Sequence, residues 1–288
     1  ETLSRAVRVS DELLTCVAPA HAGGDTPVEV SLNGLDFTSS GVTVVYLTPT
    51  IQSVHPAFGP ERGGTLVQIN GAYMVAGTGA FCRFGGQTAT PAAFVSATRM
   101  ECVAPPMTSG ASTLSLLAQV TGNVALSTFA YEYQAAAMVL SVMPASGPAS
   151  GGSSVLLRGS HFSERAATFA YLRCRFNLTT AVAVYVNSSV IVCTSPAFAG
   201  DVGSASMPSG VPVEMSNNLL DFTASGVGFE YRTEVQVESV LPIGGPSAGN
   251  SLVTVRGENF VDGETTCRFG SIIVPASSAS VGVVQCTS

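Results

Sequence analysis

The chain has 288 residues, of which only 11% are charged, and its formal net charge is −7 at pH 7. All 12 basic residues are arginines, which excludes lysine-dependent chemistry such as Schiff-base formation or a Walker-type phosphate site. The acidic balance also argues against binding to nucleic acid or to an anionic membrane surface.

A motif of prolines and glycines occurs three times along the chain. Its copies begin at Pro56, Pro144 and Pro242, which are 88 and 98 residues apart. Each copy leads into a run of alternating apolar residues that ends at a glycine, in residues 65–71, 153–159 and 251–257. Alternation with a period of two predicts a half-buried β-strand that ends in a turn.

Two cysteine-containing blocks follow each run in the same order. The first is Cys-Arg-Phe at Cys82, Cys174 and Cys267, and the second contains Cys102, Cys193 and Cys286, with an additional copy at Cys16. Residues 35–42 closely match residues 220–227, and both lead into a strand that ends in tyrosine. No segment of a dozen residues has a helical period, so the sequence predicts an all-β fold of small sandwiches.

The order of these motifs resembles the IPT/TIG domain, an immunoglobulin-like module of plexins, Met-type receptors, fibrocystin-like ciliary proteins and large surface proteins of protists and algae. The resemblance covers essentially the whole chain and departs from the usual pattern at Met74, where Phe is usual, and at Asn177, where Gly is usual. It implies tandem immunoglobulin-like β-sandwiches, and the short connections between them predict a rod.

The register of the motifs divides the chain into four parts. Residues 1–47 (the leading segment) are predicted to be the C-terminal half of a repeat, and residues 48–134 (the first repeat) and 135–233 (the second repeat) are predicted to be complete. Residues 234–288 (the third repeat) are predicted to be the N-terminal part of a further one. The chain is therefore expected to be a window on a longer array, and no signal peptide is visible at its start.

The repeat register also pairs the cysteines. Cys82–Cys102, Cys174–Cys193 and Cys267–Cys286 are predicted to form disulfides within repeats, and Cys16 is predicted to pair with a residue upstream of the window. Buried free cysteines of a cytosolic protein are the alternative, whereas the spacing of a zinc site is absent. Disulfides require an oxidising compartment, so a secreted protein or a cell-surface ectodomain is expected.

Two N-glycosylation sequons lie in the second repeat, at Asn177 and Asn187. Asn177 is at the position that is Gly in the other repeats, where a positive φ is expected, and Asn tolerates a positive φ better than most residues. The turn is therefore expected to persist with the side chain facing solvent. Chance occurrence of the motif in a chain rich in Ser and Thr is the alternative.

Residues that could carry chemistry are better explained as turn and core positions. The sequence around Ser247 has the form of a lipase elbow, but the same position in the sibling repeats is a repeat-start turn. Asp36 and Asp221 are predicted in turns, and Asp262 with Glu264 lacks the acid ladder of a calcium loop. The histidines are expected in loops or turn edges: His21, His55 and His161. The recurring arginines are expected to make ion pairs or stacking contacts: Arg83, Arg175 and Arg268.

These observations predict no catalytic residue, no cofactor and no metal ligand. We expect a non-enzymatic extracellular scaffold or adhesion segment of a large surface glycoprotein, and the resemblance implies a ciliary or flagellar appendage as one setting. Its expected partners are other protein chains or further repeats of the same chain, together with N-linked glycans. Neither nucleic acid binding nor direct membrane insertion is expected, since the most apolar segment, residues 135–142, is far below the roughly 20 residues of a spanning helix.

The alternative function is the ligand-binding ectodomain of a plexin-like receptor. Such a receptor needs an exposed apolar or charged patch that is confined to one repeat. An intracellular DNA-binding TIG module does not agree with the acidity, the missing lysine and the cysteine pattern. An enzyme remains only if catalysis resides elsewhere in the parent chain.

Overall fold

The computed structural model describes residues 3–74, 79–86, 89–117, 125–198, 200 and 210–288. Within these residues the chain forms short β-strands and one helix of 5 residues. Alternating apolar residues form the strands, and the prolines and glycines between them form the turns. The all-β fold predicted from the sequence is confirmed.

The described chain divides into two units. The first unit comprises Glu1–Ala137 together with Ser216–Asp221, and the second comprises Met138–Met215 together with Phe222–Ser288. The six-residue segment Ser216–Asp221 therefore belongs to the first unit, although it lies far from that unit along the chain.

The leading segment, in the first unit, contains two antiparallel hairpins. Its strands are β1 (Ala6–Arg8), β2 (Leu14–Cys16), β3 (Gly24–Pro27) and β4 (Thr43–Tyr46). Strand β1 pairs with β2, and β3 pairs with β4. Almost all of their residues are exposed, so these hairpins bury little apolar surface within the described chain.

The first repeat forms an eight-stranded sheet that folds on itself as a sandwich. Its strands are β5 (Thr50–His55), β6 (Phe58–Pro60), β7 (Leu66–Ala72), β8 (Phe81–Phe84), β9 (Ala89–Ser96), β10 (Arg99–Val103), β11 (Gly110–Leu117) and β12 (Ala125–Gln134). The strand order is β5-β7-β10-β9-β8-β11-β12-β6. Strand β9 joins the two faces, because its first residues pair with β8 and its later residues pair with β10.

The core of the first repeat lies between these two faces. Val67 and Ile69 on β7 are fully buried against Phe84 on β8 and the tyrosines of β12. The rings of Phe84, Tyr131 and Tyr133 pack edge to face, with centroids 5.1 to 6.3 Å apart. Such aromatic contacts add to the free energy gained from apolar burial.

The second repeat, in the second unit, has the same strand order. Its elements are β13 (Met138–Met143), β14 (Ser146–Pro148), β15 (Ser154–Ser160), α1 (Glu164–Thr168), β16 (Arg173–Phe176), β17 (Thr179–Asn187), β18 (Val190–Thr194), β19 (Val211–Ser216) and β20 (Gly228–Arg232). The order β13-β15-β18-β17-β16-β19-β20-β14 matches the first repeat strand for strand.

The third repeat contributes β21 (Gln236–Leu241), β22 (Leu252–Glu258), β23 (Thr266–Phe269), β24 (Ile272–Pro275), β25 (Ser278–Ser280) and β26 (Val283–Thr287).

Candidate binding surfaces

A disulfide joins the two faces of each repeat. Cys82 on β8 is bonded to Cys102 on β10, with Cα atoms 6.3 Å apart. The corresponding bonds Cys174–Cys193 and Cys267–Cys286 have Cα–Cα distances of 6.4 and 6.2 Å. Within the described residues Cys16 is exposed and forms no disulfide. Its pairing with an upstream residue stays a prediction.

The two sequons lie at the two ends of β17. Asn177 has φ of +55°, and Gly85 and Gly270 at the matching positions have φ of +61° and +60°. The predicted positive φ is therefore confirmed. Asn187 is exposed at the end of the strand, where its Oδ1 accepts a hydrogen bond from the Ser189 amide at 2.9 Å. Glycosylation of both asparagines stays a prediction.

The residues considered for chemistry take structural positions. Ser247 lies in an exposed turn, and His161 has a positive φ of +58°, like Asn259 in the next repeat. The Arg175 guanidinium lies 4.2 Å from the centroid of the Phe222 ring, which is the stacking contact expected for this arginine. In the described part of the chain, no three His, Cys, Asp or Glu residues converge as metal ligands. No helix there is long and apolar enough to cross a membrane.

The segment Ser216–Asp221, which we call the Asn218 turn, is closed by its own side chains. The Asn218 Oδ1 accepts hydrogen bonds from the amides of Leu220 and Asp221 at 3.2 and 2.9 Å, and its Nδ2 donates to the Asp221 carboxylate at 2.7 Å. Asparagine favours such turns because its amide can bind the backbone two residues further on. Leu219 has a φ of +73°, which is uncommon for a residue with a side chain.

The Asn218 turn forms hydrogen bonds with residues of the first repeat. The Asn218 Nδ2 donates to the Phe58 carbonyl oxygen at 3.3 Å, and the Thr65 hydroxyl donates to the Asp221 carboxylate at 2.5 Å. Asn218 is only 2% exposed and Thr65 is fully buried. A hydrogen bond to a carboxylate is stronger than one between neutral groups. The turn is therefore held by polar contacts of high directional specificity.

The binding site for this turn, which we call the Thr65 socket, comprises Phe58, Gly59, Thr65 and Tyr131. A Cβ atom at Gly59 would collide with the hydroxyl groups of Thr65 and Tyr131, so the close approach requires glycine. Burial raises the pKa of Tyr131 far above its usual value. The phenol therefore stays neutral at physiological pH, as a structural part of the socket.

In the second unit, a buried carboxylate joins the chain segments that precede and follow residues 216–221. Glu214 is 5% exposed and accepts hydrogen bonds from the Thr223 hydroxyl and from the Ser225 amide, the latter at 3.0 Å. The Met215 amide in turn donates to the Thr223 hydroxyl at 3.1 Å. These bonds satisfy the buried charge and fix the two chain segments that flank the turn.

The leading segment contains a second copy of the turn, residues 31–36, which we call the Asn33 turn. The Asn33 Oδ1 accepts from the amides of Leu35 and Asp36 at 3.0 and 2.9 Å, and its Nδ2 donates to Asp36 at 2.7 Å. Gly34 has the same φ of +73° as Leu219. Asp36 and Asp221 therefore close turns, as predicted, and the sequence did not predict that one of these turns is bound.

A charged cluster lies where the second repeat meets the third within the second unit. The Arg232 guanidinium donates to Glu230 at 2.9 Å and also binds Glu264. The hydrogen bond from Arg232 lowers the pKa of Glu230 below its ordinary value. Glu264 therefore makes a structural ion pair with Arg232. This ion pair explains the presence of an acidic residue at position 264, and no calcium loop is needed to explain it.

Exposed apolar side chains occur on strands of all three repeats. On β17, Val184 and Val186 are 63% and 54% exposed, and Val95 on β9 of the first repeat is 50% exposed. Val95 and Val186 are equivalent in register, because each precedes the residue that pairs with the start of the next strand. Ile272 on β24 is 65% exposed. Apolar exposure is thus not confined to a single repeat.

The fold defines a class of protein: chains built of immunoglobulin-like repeats. The family model of the IPT/TIG domain matches residues 49–133, 137–231 and 236–288. The chain belongs to the IPT/TIG domain family. These repeats are non-enzymatic binding or structural modules, typical of extracellular adhesion proteins and receptor ectodomains.

The solved structures that are similar to this chain have longer chains, of which this chain spans about a fifth to three fifths. The full extracellular region of plexin A4 matches with 15% identity and a TM-score of 0.46, over 83% of this chain and 21% of that chain. Invasin, a bacterial integrin-binding protein, matches with 12% identity and a TM-score of 0.26, over 83% of this chain and 54% of that chain. A Bacteroides ovatus SGBP-B in complex with a mixed-linkage heptasaccharide matches with 13% identity and a TM-score of 0.25, over 85% of this chain and 59% of that chain.

Proposed function

We propose that the chain is a non-enzymatic scaffold or adhesion segment of a large extracellular surface glycoprotein. The observation that carries this proposal is the recurrence of one IPT/TIG unit with its own disulfide in each of three matched regions. Disulfides indicate an extracellular or secreted location. A unit that is repeated with its bond and turn positions retained is suited to presenting similar surfaces many times.

The partners that we propose are other protein chains or further repeats of the same chain. The exposed apolar residues of β9, β17 and β24 lie in three different repeats, which favours contacts distributed along the chain over one isolated site. N-linked glycans on Asn177 and Asn187 would add polar surface at the two ends of β17. The four-part division of the chain and its arrangement as a rod also stay predictions.

We also propose a ciliary or flagellar surface as the setting of the parent protein. Its support is the resemblance of the repeat motifs to those of fibrocystin-like arrays. Immunogold labelling of intact, unpermeabilised cells of the source organism tests this placement. Label along cilia or flagella is expected, and label elsewhere on the cell surface would contradict this part of the proposal.

An adhesion assay tests the proposal of distributed contacts. Beads coated with the 288-residue chain are allowed to settle on source cells, and detachment under flow is measured for the wild type and for two matched variants, Val95→Glu and Val186→Glu. Each variant places a charge at the register-equivalent exposed position of a different repeat. We expect each variant to weaken adhesion in part and the double variant to weaken it further.

A receptor-like binding site gives a different result in the same assay. If one variant abolishes attachment and the other leaves it unchanged, all contact resides in one repeat. That outcome would support the ligand-binding ectodomain of a plexin-like receptor and would contradict the scaffold.

A further inference from the structure

We propose that an N-linked glycan on Asn187 packs on an apolar sheet face of the second repeat, which we call the Val192 face. The face is a row of four side chains on neighbouring strands: Met143 on β13, Leu156 on β15, Val192 on β18 and Val184 on β17. This contact rests on the proposed glycosylation of Asn187 and adds the surface that the sugar covers.

The Val192 face is continuous because its residues are paired across the strands. Leu156 pairs with Met143 on one side and with Val192 on the other, and Val192 pairs in turn with Val184. Directly opposite residues have side chains on the same face of a sheet, and strands are about 4.8 Å apart, so the row spans about 14 Å. The residues on either side of Leu156 and Val192 along their strands are buried in the core, so these two side chains face away from it: Val155, Leu157, Ile191 and Cys193.

The Val192 face is exposed and almost free of charge. Met143 and Val184, at its two ends, are 66% and 63% exposed, and the two residues between them are half-buried. The four strands contain a single charged residue, Arg158. A continuous apolar surface marks a contact site, and the near absence of charged partners favours an occupant that is itself neutral.

The apolar row occurs in the same repeat as both sequons of the chain. At the same register the first repeat has His55, Gln68, Glu101 and Ala93. The third repeat has Leu241, Thr254, Gln285 and Ser278. Neither of these repeats contains a sequon, and in both of them polar side chains replace most of the apolar ones. The apolar row and the attachment sites for sugar therefore occur together.

Asn187 lies on the same side of the sheet, in the row next to the Val192 face. It pairs with Val190, which faces outward like Val192 because the two are separated by two positions on β18. Asn187 is exposed, and its Oδ1 accepts a hydrogen bond from the Ser189 amide at 2.9 Å. This bond uses Oδ1 and not Nδ2, which is the atom that bonds to the sugar.

The chemistry of the sugar suits such a face. On attachment, Nδ2 of Asn187 loses a proton and bonds to C1 of the first N-acetylglucosamine, and the lipid diphosphate of the sugar donor leaves. The C–H groups on the faces of a pyranose ring pack on aliphatic side chains, while the hydroxyl groups at its rim keep their contact with water. Because the sugar is tethered one row away, its effective concentration at the face is on the order of millimolar, so weak contacts are sufficient. Val186 lies in the bulge of β17 and is not part of the row.

NMR spectroscopy of the 288-residue chain, secreted by cultured animal cells and isotope-labelled in the methyl groups of valine, tests the proposal. Mass spectrometry first verifies the sugar on Asn187. We expect nuclear Overhauser effects between sugar protons and the methyl groups of Val184 and Val192, whose signals the variants Val184→Ile and Val192→Ile assign. Ser189→Ala removes the sequon but keeps Asn187 and the amide that binds its Oδ1. In this variant we expect both signals to shift and the binding of a hydrophobic fluorescent dye to rise at least twofold.

Two further variants make the result specific. Thr179→Ala removes the sequon of Asn177 at the other end of β17 and is expected to leave the valine signals and the dye binding unchanged. Adding Val184→Thr to Ser189→Ala is expected to reduce the dye binding again, which locates the dye on the Val192 face.

Two outcomes would overturn the proposal, and they differ. If Asn187 carries sugar but shows no contact with the valines, and dye binding does not change in Ser189→Ala, the glycosylation stands and the face is open to a protein partner instead. If Asn187 carries no sugar, the proposed glycosylation fails together with the contact.

Discussion

Buried polar groups at single residues give the Asn218 turn its binding specificity. Asn218 satisfies two amides of its own turn through Oδ1 and reaches both Asp221 and the Phe58 carbonyl through Nδ2. Thr65 supplies a further donor to the carboxylate. A buried polar atom that loses its hydrogen-bond partner costs free energy. These few residues therefore fix one position and orientation of the turn on the first repeat.

Replacing Thr65 with valine tests this interpretation. The variant Thr65→Val removes the hydroxyl that donates to Asp221 and retains the shape of the side chain. We expect the free energy of unfolding to fall by about 1–3 kcal/mol, because the partly buried Asp221 carboxylate loses a hydrogen bond. Urea unfolding followed by tyrosine fluorescence measures the change. Thr113→Val, at an exposed residue of the same repeat, serves as the control, and equal stability of the two variants would contradict the prediction.

Disulfides act at the scale of the element, because each one joins strands from the two faces of a sandwich. Cys174 lies on β16 and Cys193 on β18, and the bond closes a loop with a sequence separation of 19 residues. Closing such a loop restricts the unfolded chain and stabilises the folded one by about 3 kcal/mol.

Removing one of these bonds is expected to destabilise its repeat. In the double variant Cys174→Ala with Cys193→Ala, we expect a loss of about 3 kcal/mol in the urea unfolding of the second unit. Cys16→Ser is the matched control, since Cys16 is exposed and forms no disulfide within the described chain. A double variant as stable as Cys16→Ser would show that the bond does not form in the folded protein.

The contact between Arg232 and Glu230 predicts a pH dependence of stability. The hydrogen bond to Arg232 lowers the pKa of Glu230 in the folded state below the ordinary 4.5. The contact therefore contributes fully to the free energy of unfolding at pH values above 4.5. This contribution is lost as the pH falls through the lower pKa that Glu230 has in the folded state. It is small, below about 1 kcal/mol, because Glu230 is 56% exposed.

A comparison of two variants measures this contribution. Glu230→Gln is expected to be slightly less stable than the wild type near neutral pH and equally stable at a pH about 2 units below 4.5. Glu238→Gln, at an exposed residue of β21, is expected to show no such trend. If the loss of stability of Glu230→Gln relative to the wild type grew as the pH falls, the prediction would be contradicted.

Features with a local cause could be predicted from the sequence. The strands, the recurring cysteines and the positive φ of Asn177 all follow from patterns within one repeat. The contact between Thr65 and Asp221 could not be predicted, because it joins residues 156 positions apart and depends on the folded arrangement of both. The positive φ of Leu219 is also unexpected for leucine, and only Gly34 at the sibling position signals it.

At the scale of the whole molecule, the chain is a series of IPT/TIG repeats. The strand order of the first repeat recurs in the second, and each repeat has its own disulfide and core. Residues that first suggested chemistry, such as Ser247 and His161, occupy turns whose counterparts recur elsewhere in the chain. A catalytic site is a single constellation, whereas a surface that acts by contact can be repeated.

The central claim is that this chain is an extracellular, disulfide-bonded array of IPT/TIG repeats, and mass-spectrometric mapping of the protein from its native source tests it most directly. Peptides are prepared without reduction and analysed before and after enzymatic removal of N-glycans. The account predicts the pairs Cys82–Cys102, Cys174–Cys193 and Cys267–Cys286, together with sugar on Asn177 and Asn187. Reduced cysteines with both asparagines unmodified would contradict it.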